Sequence, residues 1–157
     1  MGIRVKPFGF DQIRGSNIVD TDTIVKRRLQ YIGEELCTHA RTVTKSHADG
    51  GYDDQTGNLR SSIGYRIYHN GEMITEGGFQ AGYGSTGGAE GIQAAKEGLE
   101  TYGLAHGIDN IEGWTLVLVA GMNYAYYVQE KNGYNVLHLT TIEMEKKINE
   151  LKEELHL

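Results

Sequence analysis

A chain of 157 residues with a single cysteine and a net charge of −6 has room for one domain with a sizeable core, and it excludes an intrachain disulfide and a multi-thiolate metal site. No apolar run reaches the length of a signal peptide or a membrane span, so the expectation is one soluble, intracellularly made domain over residues 1–157. The charge is uneven: residues 1–70 carry ten Lys and Arg against eight Asp and Glu, and residues 71–157 carry five against thirteen, a balance that excludes tight, salt-sensitive nucleic-acid binding as the main activity.

Residues 1–19 mix charge with Pro7 and several glycines and show no period, the pattern of an extended N-terminal arm. From Thr21 onward Val25, Leu29, Ile32, Leu36, Ala40 and Val43 recur at spacings of three and four, which predicts a helix over about 22–46. Thr21 or Asp22 caps its first amides, and Arg41 and Lys45 complement its dipole. Gly33 is the weak point, costing up to ~1 kcal/mol relative to alanine unless a partner packs there. Residues 47–55 form a polar, glycine-containing loop, and Thr56 caps a short turn after it. Ile63, Tyr65 and Ile67 then alternate with Gly64, Arg66 and Tyr68 at the strand period, and Asn70-Gly71 marks a tight hairpin to a returning strand over about 72–80. Residues 81–113 are glycine-rich, with a helical piece near Ala89–Tyr102, and have the character of an inserted loop. Trp114–Ala120 is a continuous apolar run expected at the centre of the sheet. Leu137, Thr141, Met144, Ile148, Leu151 and Leu155 define a final amphipathic helix, with Glu143 and Lys147 paired four apart. The sum is an α+β fold: a small antiparallel sheet with a long N-terminal helix and a C-terminal amphipathic helix packed on one face.

Nothing in this pattern assembles a nucleophile, a base and an orienting group, so no catalytic residue is assigned. Cys37 and His39 are two apart on a helix and point to different faces; Cys37 reads as a small buried packing residue. The six histidines, at 39, 47, 69, 106, 138 and 156, lack the spacing of a zinc site. Asp49, Asp53 and Asp54 miss the alternate-position pattern of a calcium loop and read as a solvated turn. Neither metal nor cofactor is expected. Gly82-Tyr83-Gly84-Ser85-Thr86-Gly87 fits the dinucleotide fingerprint, with Asp109 at a tolerable distance for the ribose. The stretch before it, Met73–Phe79, is too polar and glycine-rich for the buried parallel strand which that motif needs. The simpler reading is a loop whose glycines let the backbone lie close to a neighbouring subunit.

Two segments taken together, Asp53-Asp54-Gln55-Thr56-Gly57-Asn58-Leu59-Arg60-Ser61-Ser62-Ile63 and Asn123-Tyr124-Ala125-Tyr126-Tyr127-Val128-Gln129-Glu130, resemble the gp-ten-like family of phage tail-completion or head-tail joining proteins. In that family a Thr-Gly-x-Leu-x-x-Ser turn precedes the first sheet strand, and a Tyr-Ala-x-Tyr-Val-x-Glu segment follows a later strand before a glycine and the final helix. The order is the same here, with Gly133 before the last helix. Tyr134-Asn135-Val136 stands where the family has a proline-rich approach, and residues 81–113 are extra.

The resemblance implies a structural virion protein rather than an enzyme. It would be a homo-oligomer, commonly a hexameric ring, at the head-tail junction, assembled in the host cytoplasm. Its partners would be a head-closure or portal-side protein and the tail tube protein, with double-stranded DNA passing through the lumen unbound. Thr56 and Gly57 would make the tight lead into the sheet, Leu59 and Ile63 would enter the core, Tyr124, Tyr127 and Val128 would close a short helix against it, and Arg60 and Glu130 would pair across subunits. The arm 1–19 and the insertion 81–113 would dock on neighbours. Two alternatives stand beside this reading: a nucleotide-binding enzyme built on Gly82–Gly87, and a host-encoded domain that binds a partner helix through the stripes of residues 22–46 and 137–155.

Overall fold

Seven consecutive buried residues, Trp114–Ala120, make a strand that needs cover on both of its faces. The computed structural model describes residues 1–4, 18–43, 54, 56–122, 125 and 137–155, and it places this strand inside a four-stranded antiparallel sheet. Numbered along the chain, the strands are β1 (Gly2–Arg4), β2 (Ile63–His69), β3 (Glu72–Gly77) and β4 (Trp114–Ala120), in the order β1-β4-β2-β3. β2 and β3 form the expected hairpin. Asn70 and Gly71 have φ of 50° and 82°, the paired left-handed conformations of a two-residue turn whose twist matches the strands it joins. The returning strand ends at Gly77, short of the expected residue 80, and its register slips opposite Ile67 and Tyr68 so that Ile74 forms a bulge.

Helices α1 (Ile18–Val43) and α4 (His138–Glu154) lie antiparallel to each other on one face. Their stripes, Val25, Leu29, Ile32, Leu36 and Ala40 on α1 and Met144, Ile148 and Leu151 on α4, close over Ile63, Ile67, Leu116 and Leu118. Lys147 bridges the pair, 2.8 Å from Glu35 and 3.7 Å from Glu143; Arg28 meets Glu154 at one end, and His39 Nδ1 sits 3.1 Å from Thr140 Oγ1 at the other. The hydrogen bond to Lys147 holds the Glu35 carboxyl below its ordinary range and raises the Lys147 ammonium above its own. α1 begins four residues before the expected start, and residues 44–46 of the expected helix lie outside the described residues.

The opposite face is the main departure from the sequence reading, which laid all helices on one side and treated residues 81–113 as an insertion. Within that segment α3 (Ala89–Ala105) and a 3₁₀ turn at Ile108–Asn110 cover the second face, where Leu99 and Ile108 pack on Tyr68, Val117 and Val119. Small residues hide this in the sequence. A Cβ on Gly98 would come 3.0 Å from the Gly121 Cα, so the helix approaches the sheet by the absence of side chains rather than by an apolar stripe. Residues 2–4 of the expected arm also belong to the sheet, since β1 pairs with β4 and Ile3 packs against the core; residues 5–17 lie outside the described residues.

Candidate functional site

Asp54 organises the turn that carries the Thr-Gly-x-Leu pattern. Its carboxylate accepts the backbone N–H of Leu59 at 3.3 Å and of Arg60 at 2.9 Å, satisfying amides at the start of the four-residue helix α2 (Asn58–Ser61). The hydroxyl of Thr56, the expected cap, accepts the Asn58 N–H at 3.3 Å. Gly57 is in the left-handed region, φ 77°, and its missing side chain leaves room for the Tyr83 backbone carbonyl. Leu59 and Ile63 are fully buried in the main core, as expected. Arg60 is half-buried, not exposed, and its guanidinium lies 6.0 Å above the Tyr83 ring of the same chain.

Arg41 locks this turn to the rest of the fold. Only 8% exposed, it donates from Nε to the Arg60 carbonyl at 3.1 Å and from Nη2 to the Ile63 carbonyl at 2.7 Å and to the Gly78 carbonyl. One guanidinium thus joins the last turn of α1 to α2, to the start of β2 and to the end of β3. Sequence reading gave Arg41 only a dipole role, because no local pattern announces three acceptors far along the chain. Two turns earlier Glu34 Oε1 accepts the Tyr65 hydroxyl and the Gly78 N–H, each at 3.1 Å, and Cys37 packs against Gly78. Burial pushes the Cys37 thiol up to about 12 and also raises the Tyr65 phenol. Neither group is poised as a nucleophile at neutral pH.

The glycine loop 82–87 closes on itself and on α2. The Gly82 N–H donates to the Gly87 carbonyl at 2.8 Å, and the Thr86 hydroxyl donates to the Thr56 carbonyl at 2.8 Å. Behind it Gly88 and Gly91 press on Ser61, and Asn58 Nδ2 is 3.3 Å from Glu90 Oε2. The strand before the loop is an antiparallel edge strand, so the parallel strand-loop-helix unit that lets this fingerprint cradle a pyrophosphate is not formed. Gly82, Gly84 and Gly87 take φ of 94°, 63° and 68°, and a Cβ at Gly82 or Gly87 would meet nothing within 4 Å, so these glycines serve the left-handed turns of the loop.

Cys37 and His39 diverge as expected, the thiol into the core and the imidazole toward α4. His69 stacks on Trp114 with centroids 4.2 Å apart, and His106 stacks on Tyr102. Among the described residues no group of three or more His, Cys, Asp or Glu is placed to hold a metal ion, and no helix is long and apolar enough to cross a membrane. Tyr124, Tyr127 and Glu130 lie outside the described residues. Ala125, between them in sequence, is fully buried, its N–H donating to the Met122 carbonyl at 3.0 Å. No protein-family model, curated protein or solved structure matches the chain.

Proposed function

We propose that this chain is a structural subunit of a tailed-phage particle, a tail-completion protein that forms a ring between the head-closure protein and the tail tube. The observation that carries the reading is the Asp54–Ile63 turn. Its pattern resembles the family's, it stands in the order that resemblance implies between the long helix and the first hairpin, and its members Asp54, Gly57, Leu59, Arg60 and Ile63 build the joint between α1, α2 and the sheet. Asp54 caps α2, Gly57 admits the Tyr83 carbonyl, Leu59 and Ile63 fill the core, and the carbonyls of Arg60 and Ile63 receive Arg41. These are the uses of a scaffold rather than of a reaction centre.

In this role the subunits form a closed homo-oligomer, commonly six-fold, and the acidic second half of the chain suits a lumen through which DNA moves without adhering. The chain is then no enzyme and needs no cofactor. Negative-stain microscopy and mass photometry of the purified full chain, alone and mixed with candidate head-closure and tail tube proteins, test the proposal. Rings, or uptake into a complex at the tail end, are the expected result. A protein that stays monomeric and ignores both partners would overturn it and return the host-interaction reading to first place.

A further inference from the structure

β1 and β3 are the outer strands of the sheet, and among the described residues neither has a strand on its outer side. Such an edge presents unpaired N–H and C=O groups to any other chain. The two edges carry opposite charge. Arg4, exposed, ends β1; Glu72, exposed, begins β3, and Glu76 follows on the same strand, held 2.9 Å from Arg66.

Direction and facing agree with the charges. Strand direction alternates across the sheet, so a strand added beyond β3 in the same pattern runs as β1 does, and a second copy in the same orientation brings its β1 there. On β1, Ile3 belongs to the α1/α4 face and Arg4 by alternation to the α3 face. On β3, Gly77 pairs with Tyr65 on the α1/α4 face and Glu76 pairs with Arg66 on the α3 face. An antiparallel register that sets Arg4 opposite Glu76 sets Ile3 opposite Gly77 and keeps both copies' faces aligned. Met73 and Leu104, 51% and 73% exposed, flank the same edge and supply apolar surface for the junction.

We infer that β1 of one copy pairs with β3 of the next, a head-to-tail contact between copies of this chain in which Arg4 meets the carboxylate of Glu76. The inference rests on the ring reading, because a head-to-tail contact repeats until its rotation closes.

Charge reversal in the full chain tests it. Mass photometry and sedimentation across the micromolar range compare the wild type, Arg4→Glu, Glu76→Arg, an equal mixture of the two variants, and the double variant. Arg4 is exposed and Glu76 half-buried beside Arg66, so circular dichroism spectra matching the wild type are the check that each variant keeps its fold. Each single variant should self-associate roughly tenfold more weakly, since an attraction becomes a repulsion. The mixture and the double variant should recover, because each single variant keeps one wild-type edge and every reversed edge then finds its opposite charge. Wild-type oligomers indifferent to both reversals, or weakening without recovery in the mixture, overturn the edge pairing and leave the ring intact. A wild type that is monomeric throughout also overturns the edge pairing; the ring reading is then decided separately by uptake into head-tail complexes.

Discussion

Replacing Gly33 by alanine sets helix propensity against packing. Alanine in the middle of α1 gains about 1 kcal/mol over glycine from backbone entropy alone. A Cβ at this position, however, would sit 2.8 Å from Tyr65 Cδ2 and Cγ and 2.9 Å from Cδ1, well inside the ~3.5–4.0 Å at which carbon atoms rest. The ring is poorly placed to yield, since its hydroxyl donates to Glu34 Oε1 at 3.1 Å and Glu34 is the next residue on the same helix. Overpacking of this kind costs about 1–3 kcal/mol. The packing term therefore exceeds the propensity gain, and Gly33→Ala should destabilise the domain by about 1 kcal/mol net, lowering the melting temperature by ~2–4 °C. Urea denaturation followed by fluorescence of Trp114, the single tryptophan, measures it. Adding Tyr65→Phe should shrink the loss, because the untethered ring can tilt away. A higher midpoint for Gly33→Ala than for wild type would refute the argument and show that propensity decides at this position.

Arg41→Met leaves the Arg60, Ile63 and Gly78 carbonyls without this donor and should cost about 2–4 kcal/mol in urea unfolding; a loss below about 1 kcal/mol would show that the guanidinium does not join those segments. Asp54→Ala removes the acceptor of two amides of α2 and should cost about 1 kcal/mol by the same assay, whereas Thr56→Ala should cost less. For Lys147→Met the signs differ at the two ends of the pH scale. Glu35 titrates below its ordinary value, so its share of the pair's stability is present above about 4.3 and fades as the pH falls through the lower folded value. Lys147 titrates above its ordinary value, so its share is present below about 10.4 and is lost as the pH rises through the higher folded value. The difference between wild type and Lys147→Met should be a plateau of up to about 1 kcal/mol between those limits, and a difference undiminished in acid would contradict the pairing. Cys37 should resist thiol reagents in the native protein and react only on opening of the fold, as labelling kinetics at several urea concentrations will report.

The elements that rest on large apolar side chains were legible in the sequence. β4 appears with the expected bounds because its seven residues are apolar or neutral and bounded by Gly113 and Gly121. The Asn70-Gly71 hairpin follows from turn chemistry, and α4 follows from an uninterrupted stripe. What the sequence concealed is made by missing or distant groups. α3 packs by way of Gly98 against Gly121, a contact that lowers the apolar signal where burial occurs. Three residues of β1 are too few to show a period. At the site, Leu59 and Ile63 were readable from their apolar character, while the roles of Asp54, Arg41 and Glu34 depend on acceptors and donors fixed only by tertiary structure. The sequence suggests that Arg60 pairs across subunits; in the fold it is half-buried with its guanidinium 6.0 Å above the Tyr83 ring, a neighbour that no local pattern announces.

The central claim is most directly tested by joining heads to tails. In cells producing the phage with this gene interrupted early, the account predicts filled heads and finished tails that remain separate, and joined particles when the purified protein is added to their extract, seen by electron microscopy. Joined, infective particles formed without the protein would contradict the account.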